Sequence, residues 1–203
     1  TTAEDLRRRP LRDYVPRSRY GRMSTMVIAQ TGGTTATGTW TAYCEAEFRA
    51  AFVAPFLGAI ERVPFPRGDE WLYIGPTGPH IIGRAAAALA RCLDSPEPFT
   101  VDFDPRWARR LANGSLARSR YMNHIVEQSM AVIDHQRIGV LFGTPPILRE
   151  LAHRMSPDRR SRVGAVHYGG VALAPDEVNW FRETGFPGAA HLSGYGTAHA
   201  GCC

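Results

Sequence analysis

Four short stretches rich in glycine and threonine stand out in the 203-residue chain. They are Thr31-Gly32-Gly33-Thr34-Thr35, Phe142-Gly143-Thr144-Pro145-Pro146, Tyr168-Gly169-Gly170-Val171 and Ser193-Gly194-Tyr195-Gly196-Thr197. Consecutive small residues let backbone N–H groups turn inward and converge on an anion, and threonine hydroxyls add donors at little steric cost. Where such a stretch leads from a strand into a helix, the positive end of the helix dipole adds to the attraction for phosphate. Thr31–Thr35 therefore reads as a phosphate cradle. It lacks the Gly-Lys-Ser/Thr ending of a P-loop NTPase, and a plain Gly/Thr turn is its simpler reading. Each of the other three stretches, taken alone, is a common strand-to-helix turn. Their order and spacing make the set specific.

Single side chains add candidates. His80, in Gly-Pro-Thr-Gly-Pro-His before a helix, is a candidate wall of an acyl or thiol channel, or a turn-capping residue. Trp40, Tyr43, Phe142 and Tyr168 are candidate walls of an aryl pocket, although aromatics at strand ends also serve as plain core. Asp102 and Asp104 flank Phe103, and paired carboxylates suit acid–base work. Asp104 directly before Pro105 fits a helix N-cap better, and that reading is preferred. His124 and His135 are expected to satisfy local hydrogen bonds on a helix. His199, Cys202 and Cys203 lie together in His-Ala-Gly-Cys-Cys. Nitrogen and thiolate donors suit Zn²⁺, but a structural site needs four ligands and this one supplies two or three. His199 and Cys202 are thus the only metal candidates, and Zn²⁺ itself is not expected.

The charge narrows the function classes. The net charge is +5, and all 24 basic residues are arginine; the chain holds no lysine. The arginines cluster at Arg7, Arg8, Arg9, Arg12, Arg17, Arg19 and Arg22, and again at Arg159, Arg160 and Arg162. No nucleic-acid module or interleaved aromatic pattern accompanies them, so these runs read as solvated faces and no nucleic-acid partner is expected. The cysteines Cys44, Cys92, Cys202 and Cys203 do not form a disulfide framework. No secretory leader or membrane-length apolar run is evident. The expectation is a cytoplasmic protein with small-molecule partners and no membrane association; a homodimer is compatible with it.

The elements that must position these stretches follow from hydrophobic period. Thr25–Gln30 reads as a strand, and Tyr43–Ile60 as a helix with Cys44, Phe48, Phe52, Phe56 and Ile60 on one stripe. Further strands are expected at Trp71–Ile74, Phe99–Phe103, Ile138–Phe142, Val163–Tyr168 and Ala189–Leu192. Helices are expected at Ile81–Leu93, Pro105–Leu111, Tyr121–Gln136, Pro145–Met155 and Pro175–Thr184. Alternating strands and helices predict an α/β fold, with a mixed or parallel sheet and helices on both faces. Residues 1–24 form a lead-in segment and residues 25–203 the α/β core. Functional loops belong at the carboxyl ends of such strands, and the glycine-rich stretches fall there.

The set of stretches resembles the adenylate-forming superfamily of acyl-CoA synthetases and adenylation domains. Within it, the chain is most similar to the phenylacetate–CoA ligase and coenzyme F390 synthetase-like branch, over roughly Glu4 to Cys203. Thr31-Gly32-Gly33-Thr34-Thr35 is similar to the family's phosphate loop, and the preceding Glu4-to-Leu11 segment to the lead-in of this branch. The resemblance implies an acyl pocket bordered by Phe142, Gly143, Thr144, Tyr168 and His80. It implies an adenine seat along Gly169, Gly170 and Val171, with Tyr195, Gly196 and Thr197 at the nucleotide. It also implies ATP, Mg²⁺ and, as one acceptor, coenzyme A. A carboxylic acid, with aromatic acids among the candidates, would become an acyl-adenylate and then pass to coenzyme A or another nucleophile.

The chain departs from that pattern in places. Ala36 stands where the phosphate loop has glycine, and Thr39–Trp40 where it has lysine. Ala198 and His199 replace Thr-Glu, whose carboxylate helps hold Mg²⁺, and imidazole is a poor ligand for that hard ion. The family's catalytic lysine sits in a small C-terminal domain that has no counterpart in this lysine-free sequence. We therefore expect the central part of a large N-terminal domain, unable to run the reaction alone, with no catalytic residue assigned in it. The alternative is a non-catalytic nucleotide- or acyl-binding module that partners another subunit.

Overall fold

The structure, a computed structural model, describes residues 4–30, 38–194, 196–197 and 201–202. A short helix α1 (Asp5–Arg8) and two 3₁₀ turns (Leu11–Tyr14 and Arg17–Thr25) make up the lead-in. Strand β1 (Val27–Gln30) pairs antiparallel with β2 (Trp40–Tyr43). Helices α2 (Glu45–Phe48) and α3 (Ala54–Ile60) are joined by a π turn, Arg49–Val53. The core then alternates: β3 (Glu70–Gly75), α4 (Ile81–Cys92), β4 (Phe99–Asp102), α5 (Pro105–Arg110), α6 (Leu116–His135), β5 (Ile138–Gly143), α7 (Pro145–Arg154), α8 (Pro157–Ser161), β6 (Ala165–Tyr168), α9 (Pro175–Trp180) and β7 (Ala190–Ser193). Two-residue strands β8 (Gly196–Thr197) and β9 (Gly201–Cys202) pair antiparallel at the end.

Strands β3 to β7 form one five-stranded sheet in the order β4-β3-β5-β6-β7, with every pairing parallel. All five carboxyl ends therefore lie along one edge. The chain steps from β3 to β4 in one direction, then crosses back to β5 and continues to β7. Right-handed crossovers put the connecting helix on opposite faces when the direction reverses. Accordingly α4 packs with α2 and α3 on one face, around Trp71, Tyr73, Val140 and Phe142. Helices α6 and α7, with the π turn Phe181–Gly185 after α9, pack on the other, around Leu72, Ile74, Leu141 and Val166. Burial of both faces explains why β5 reads as a nearly continuous apolar run. Leu148 and Leu151 of α7, both fully buried, each contribute about 1.5–3 kcal/mol of burial.

Most predicted elements stand, and the differences have local causes. Tyr43 closes strand β2 instead of opening a helix, and the helix begins after Cys44, whose backbone N–H donates to Glu47 Oε2 at 2.7 Å. The β2 strand itself was hidden because its partner, β1, lies ten residues back. Helix α6 starts at Leu116 rather than Tyr121, because Ser115 caps it: Ser115 Oγ accepts from the Arg118 N–H at 3.2 Å. Asp104 is the N-cap of α5, its Oδ1 accepting from the Arg106 N–H at 2.8 Å.

Candidate functional site

The carboxyl edge of the sheet gathers the second and third glycine-rich stretches and the start of the fourth, at Gly194. In an open parallel sheet the natural ligand site is the crevice where strand order reverses, here between β3 and β5. Gly143 ends β5 and lies close against β3: a Cβ at Gly143 would stand 3.4 Å from the Ile74 carbonyl. Thr144 follows as the N-cap of α7, with Pro145 and Pro146 behind it. Those two prolines remove two of the N–H groups a helix N-terminus normally offers an anion. This turn is therefore poorly suited to phosphate and better suited to border an uncharged group.

On the neighbouring strand, the Gly169 N–H donates to the Gly143 carbonyl at 3.0 Å, which ties the third stretch to the second. Gly170 adopts φ +81°, and a Cβ there would meet Thr144 Cγ2 at 3.6 Å. Thr144 and the Gly169–Val171 backbone thus lie side by side, with Val171 exposed beyond them. The Gly194 N–H donates to the Tyr168 carbonyl at 3.4 Å, bringing the fourth stretch alongside. Gly196 and Thr197 then turn back as β8 against β9.

His80 stands as the N-cap of α4, half-buried, and the Gln30 N–H donates to the Pro79 carbonyl at 2.8 Å. Gln30 also pairs with His80 itself, so the strand leading to Thr31 ends beside the carboxyl end of β3. Thr31, Gly32, Gly33, Thr34, Thr35, Tyr195 and His199 lie outside the described residues, as does the Cys202 side chain. Burial holds the His80 imidazole below its usual pKa, with the nearby Arg106 charge adding to the effect and Asp104 and Asp102 opposing it. Among the described residues its Nε2 has no hydrogen-bond partner.

Strand alternation separates two residues that the resemblance put in one pocket. Phe142 faces the α4 side, while Tyr168 faces the α6 and α7 side. There the Tyr168 hydroxyl lies 2.6 Å from His191 Nδ1, with the two rings stacked, and His191 Nε2 is 3.2 Å from the Phe186 carbonyl. This pair clamps the ends of β6 and β7, from which two of the four stretches emerge. The residue of β6 that shares the Phe142 face is His167, its ring 4.0 Å from that of Phe142 in edge-on contact. Burial pushes the His167 imidazole down to about 3, so it is neutral. The sequence signal for it was there: a histidine one position before Tyr168 in an alternating strand must take the opposite face. Trp40 is partly exposed on β2, paired with Gln30 of β1.

Asp102 Oδ1 accepts from the Thr77 N–H at 3.0 Å, and Asp104 is engaged by Arg106. Among the described residues no three His, Cys, Asp or Glu side chains stand close enough to share an ion. Magnesium prefers oxygen ligands, and His199 offers nitrogen. No helix among the described residues is long and apolar enough to cross a membrane.

No family model and no curated protein matches the sequence. Solved structures do match. The chain is similar to 2-hydroxyisobutyryl-CoA ligase in the postadenylation state in complex with R3-HIB-AMP, with a TM-score of 0.63 and 19% identity over 98% of this chain and 38% of that one. An open conformation of that ligase, in complex with 2-HIB-AMP and CoA, gives a TM-score of 0.61 and 18% identity over 94% of this chain and 41% of that one. ATP-bound MatB from Rhodopseudomonas palustris gives 0.56 and 15% identity over 86% of this chain and 29% of that one. The chain thus spans about two fifths of the length of the first two. The likeness is one of fold: α/β, with a parallel five-stranded sheet between two helical layers.

Proposed function

We propose that this chain is the nucleotide- and acyl-binding core of an ATP-dependent carboxylate ligase. The observation that carries the reading is the convergence of Gly143–Thr144, Gly169–Val171 and Gly194 at one carboxyl edge, hydrogen-bonded strand to strand. The matched proteins, crystallised with acyl-AMP, CoA or ATP, add to it. A carboxylate oxygen of the acid attacks the α-phosphorus of ATP. A new oxygen–phosphorus bond forms, and pyrophosphate leaves with the electrons of the broken bond. A nucleophile, for which the thiol of coenzyme A is one choice, then attacks the acyl carbon and expels AMP.

Each stretch has a part in this. Thr31–Thr35 holds the β- and γ-phosphates through backbone N–H groups and hydroxyls. The adenine lies along Gly169–Val171, with Tyr195 packed on it and Gly196–Thr197 near the α-phosphate. Phe142, Gly143, Thr144 and His80 border the acyl group, where a dry wall protects the mixed anhydride from water. We place the chain in the phenylacetate–CoA ligase-like branch by its Glu4–Leu11 lead-in and Gly194–Thr197 stretch, acting on a small acid in the cytoplasm.

The second reading is a non-catalytic binding module. The replacement of Thr-Glu by Ala198–His199, and of the phosphate loop's lysine by Thr39–Trp40, favours it. Pyrophosphate release, followed over a panel of aryl and alkyl acids, separates the two. Acid-dependent release supports the ligase; ATP or acid binding without release supports the module.

A further inference from the structure

The least expected residue of the acyl side is His167. It is 7% exposed, inside a strand whose other residues are apolar or aromatic. Its ring is packed between Phe142, at 4.0 Å, and Phe56 of α3, at 5.0 Å, and Tyr73 of β3 packs edge-on behind Phe142 at 5.3 Å. Among the described residues His167 Nδ1 is buried and has no hydrogen-bond partner. Buried polar groups are ordinarily paired, and a neutral imidazole has one donor and one acceptor to place.

Two glycines let the backbone come close against this ring cluster. A Cβ at Gly194 would stand 3.1 Å from His167 Nε2, and one at Gly169 would stand 3.3 Å from Phe142 Cε2. Neither glycine has a positive φ, so neither is required by backbone conformation. What they supply is close approach to the two rings. Both belong to the stretches read above as flanking the nucleotide and the acyl group. An aromatic floor, an unpaired neutral imidazole within it and two side-chain-free walls make a subsite for an uncharged group with a hydrogen-bonding substituent.

We propose that His167 selects the acid: the substrate is a carboxylic acid bearing an uncharged hydroxyl, which the His167 imidazole hydrogen-bonds within the Phe56–Phe142–Tyr73 ring cluster. A hydroxyl serves either tautomer, since it both donates and accepts. A charged substituent is disfavoured in this cluster of buried rings, because an unpaired buried charge is costly. The assignment rests on the ligase reading for the position of the acyl group. A site built to hydrogen-bond a hydroxyl discriminates strongly against the analogue lacking it, because the partner is then left unpaired.

The test compares matched acids: the hydroxybenzoates against benzoate, the hydroxyphenylacetates against phenylacetate, and lactate against propionate. Binding heats and pyrophosphate release are measured for the protein and for His167→Phe and His167→Asn, with thermal melts to verify folding. The expected result is a preference of at least about tenfold for one hydroxylated acid over its partner. His167→Phe loses that preference while still binding the unsubstituted acid; His167→Asn, which keeps a donor and an acceptor, retains most of it. No preference in the unaltered protein, or an unchanged preference in His167→Phe, overturns the proposal. Selective binding of a hydroxylated acid without pyrophosphate release overturns the ligase step alone and leaves the selection by His167 supported.

Discussion

Gly170 tests whether the third glycine-rich stretch is held in a set conformation. Its φ of +81° lies in the region that L-residues with a Cβ avoid. Forcing alanine into it costs about 1–2 kcal/mol. Alanine also restricts the unfolded chain, which offsets about 0.4–1 kcal/mol of that cost. The added Cβ would meet Thr144 Cγ2 at 3.6 Å, an ordinary contact, so no clash enters. The net expectation for Gly170→Ala is a loss of about 1 kcal/mol, or a fall in Tm of about 2–4 °C for a chain of this size. Gly170→Asn, whose side chain tolerates the left-handed region, should lose less. Scanning calorimetry reads the stability, and calorimetric titration with ATP reads the site. Under the proposed function, ATP affinity falls in the same order, because the backbone along the adenine must relax. If alanine and asparagine melt alike at the unaltered temperature, the conformational argument fails. If they melt as expected and ATP binding is untouched, this stretch does not seat the nucleotide.

Leu148→Ala empties a fully buried position where α7 packs on the sheet, and urea denaturation should show a loss of about 2–5 kcal/mol. Asp104→Ala removes the cap of α5 and should cost about 0.5–2 kcal/mol in the same assay. Burial pulls the Asp104 carboxyl up, but its hydrogen bonds with Arg106 outweigh this and leave it below the usual range. The contribution of Asp104 is therefore present above about pH 4 and is lost as pH falls through its lower folded value. His167 has the opposite charge sense: it is neutral when folded, titrating at about 3, and unfolded it protonates near its ordinary 6.5. Stability is complete above that pH and declines below it, by about 2 kcal/mol at pH 5; urea melts of His167→Asn should show a flatter profile between pH 7 and 5.

The fold was legible wherever one hydrophobic period dominated. The β5–α7 and β6–α9 units, with two-sided apolar strands and Pro-initiated helices, were readable to within two residues, except that α9 gives way to a π turn after Trp180. Boundaries moved where a local cap or a distant strand decided them, as at Ser115 and Tyr43. The position of the second and third stretches at strand ends was readable, because each follows directly on an apolar run. The facing of side chains was less readable. Tyr168 sits directly before Gly169 and looked like a pocket wall, yet alternation turns it toward His191 and brings His167 to the Phe142 face. Alternation alone gives the face that His167 takes, but not the partners of either histidine. Their roles come from packing across strands that lie far apart in sequence.

The central claim is a carboxylate-activating core built on the carboxyl edge of one parallel sheet. Acid-dependent pyrophosphate release from ATP tests it most directly. The account predicts release that rises with a responsive acid and falls in Gly170→Ala. No release with any acid, together with no calorimetric binding of ATP, would contradict it.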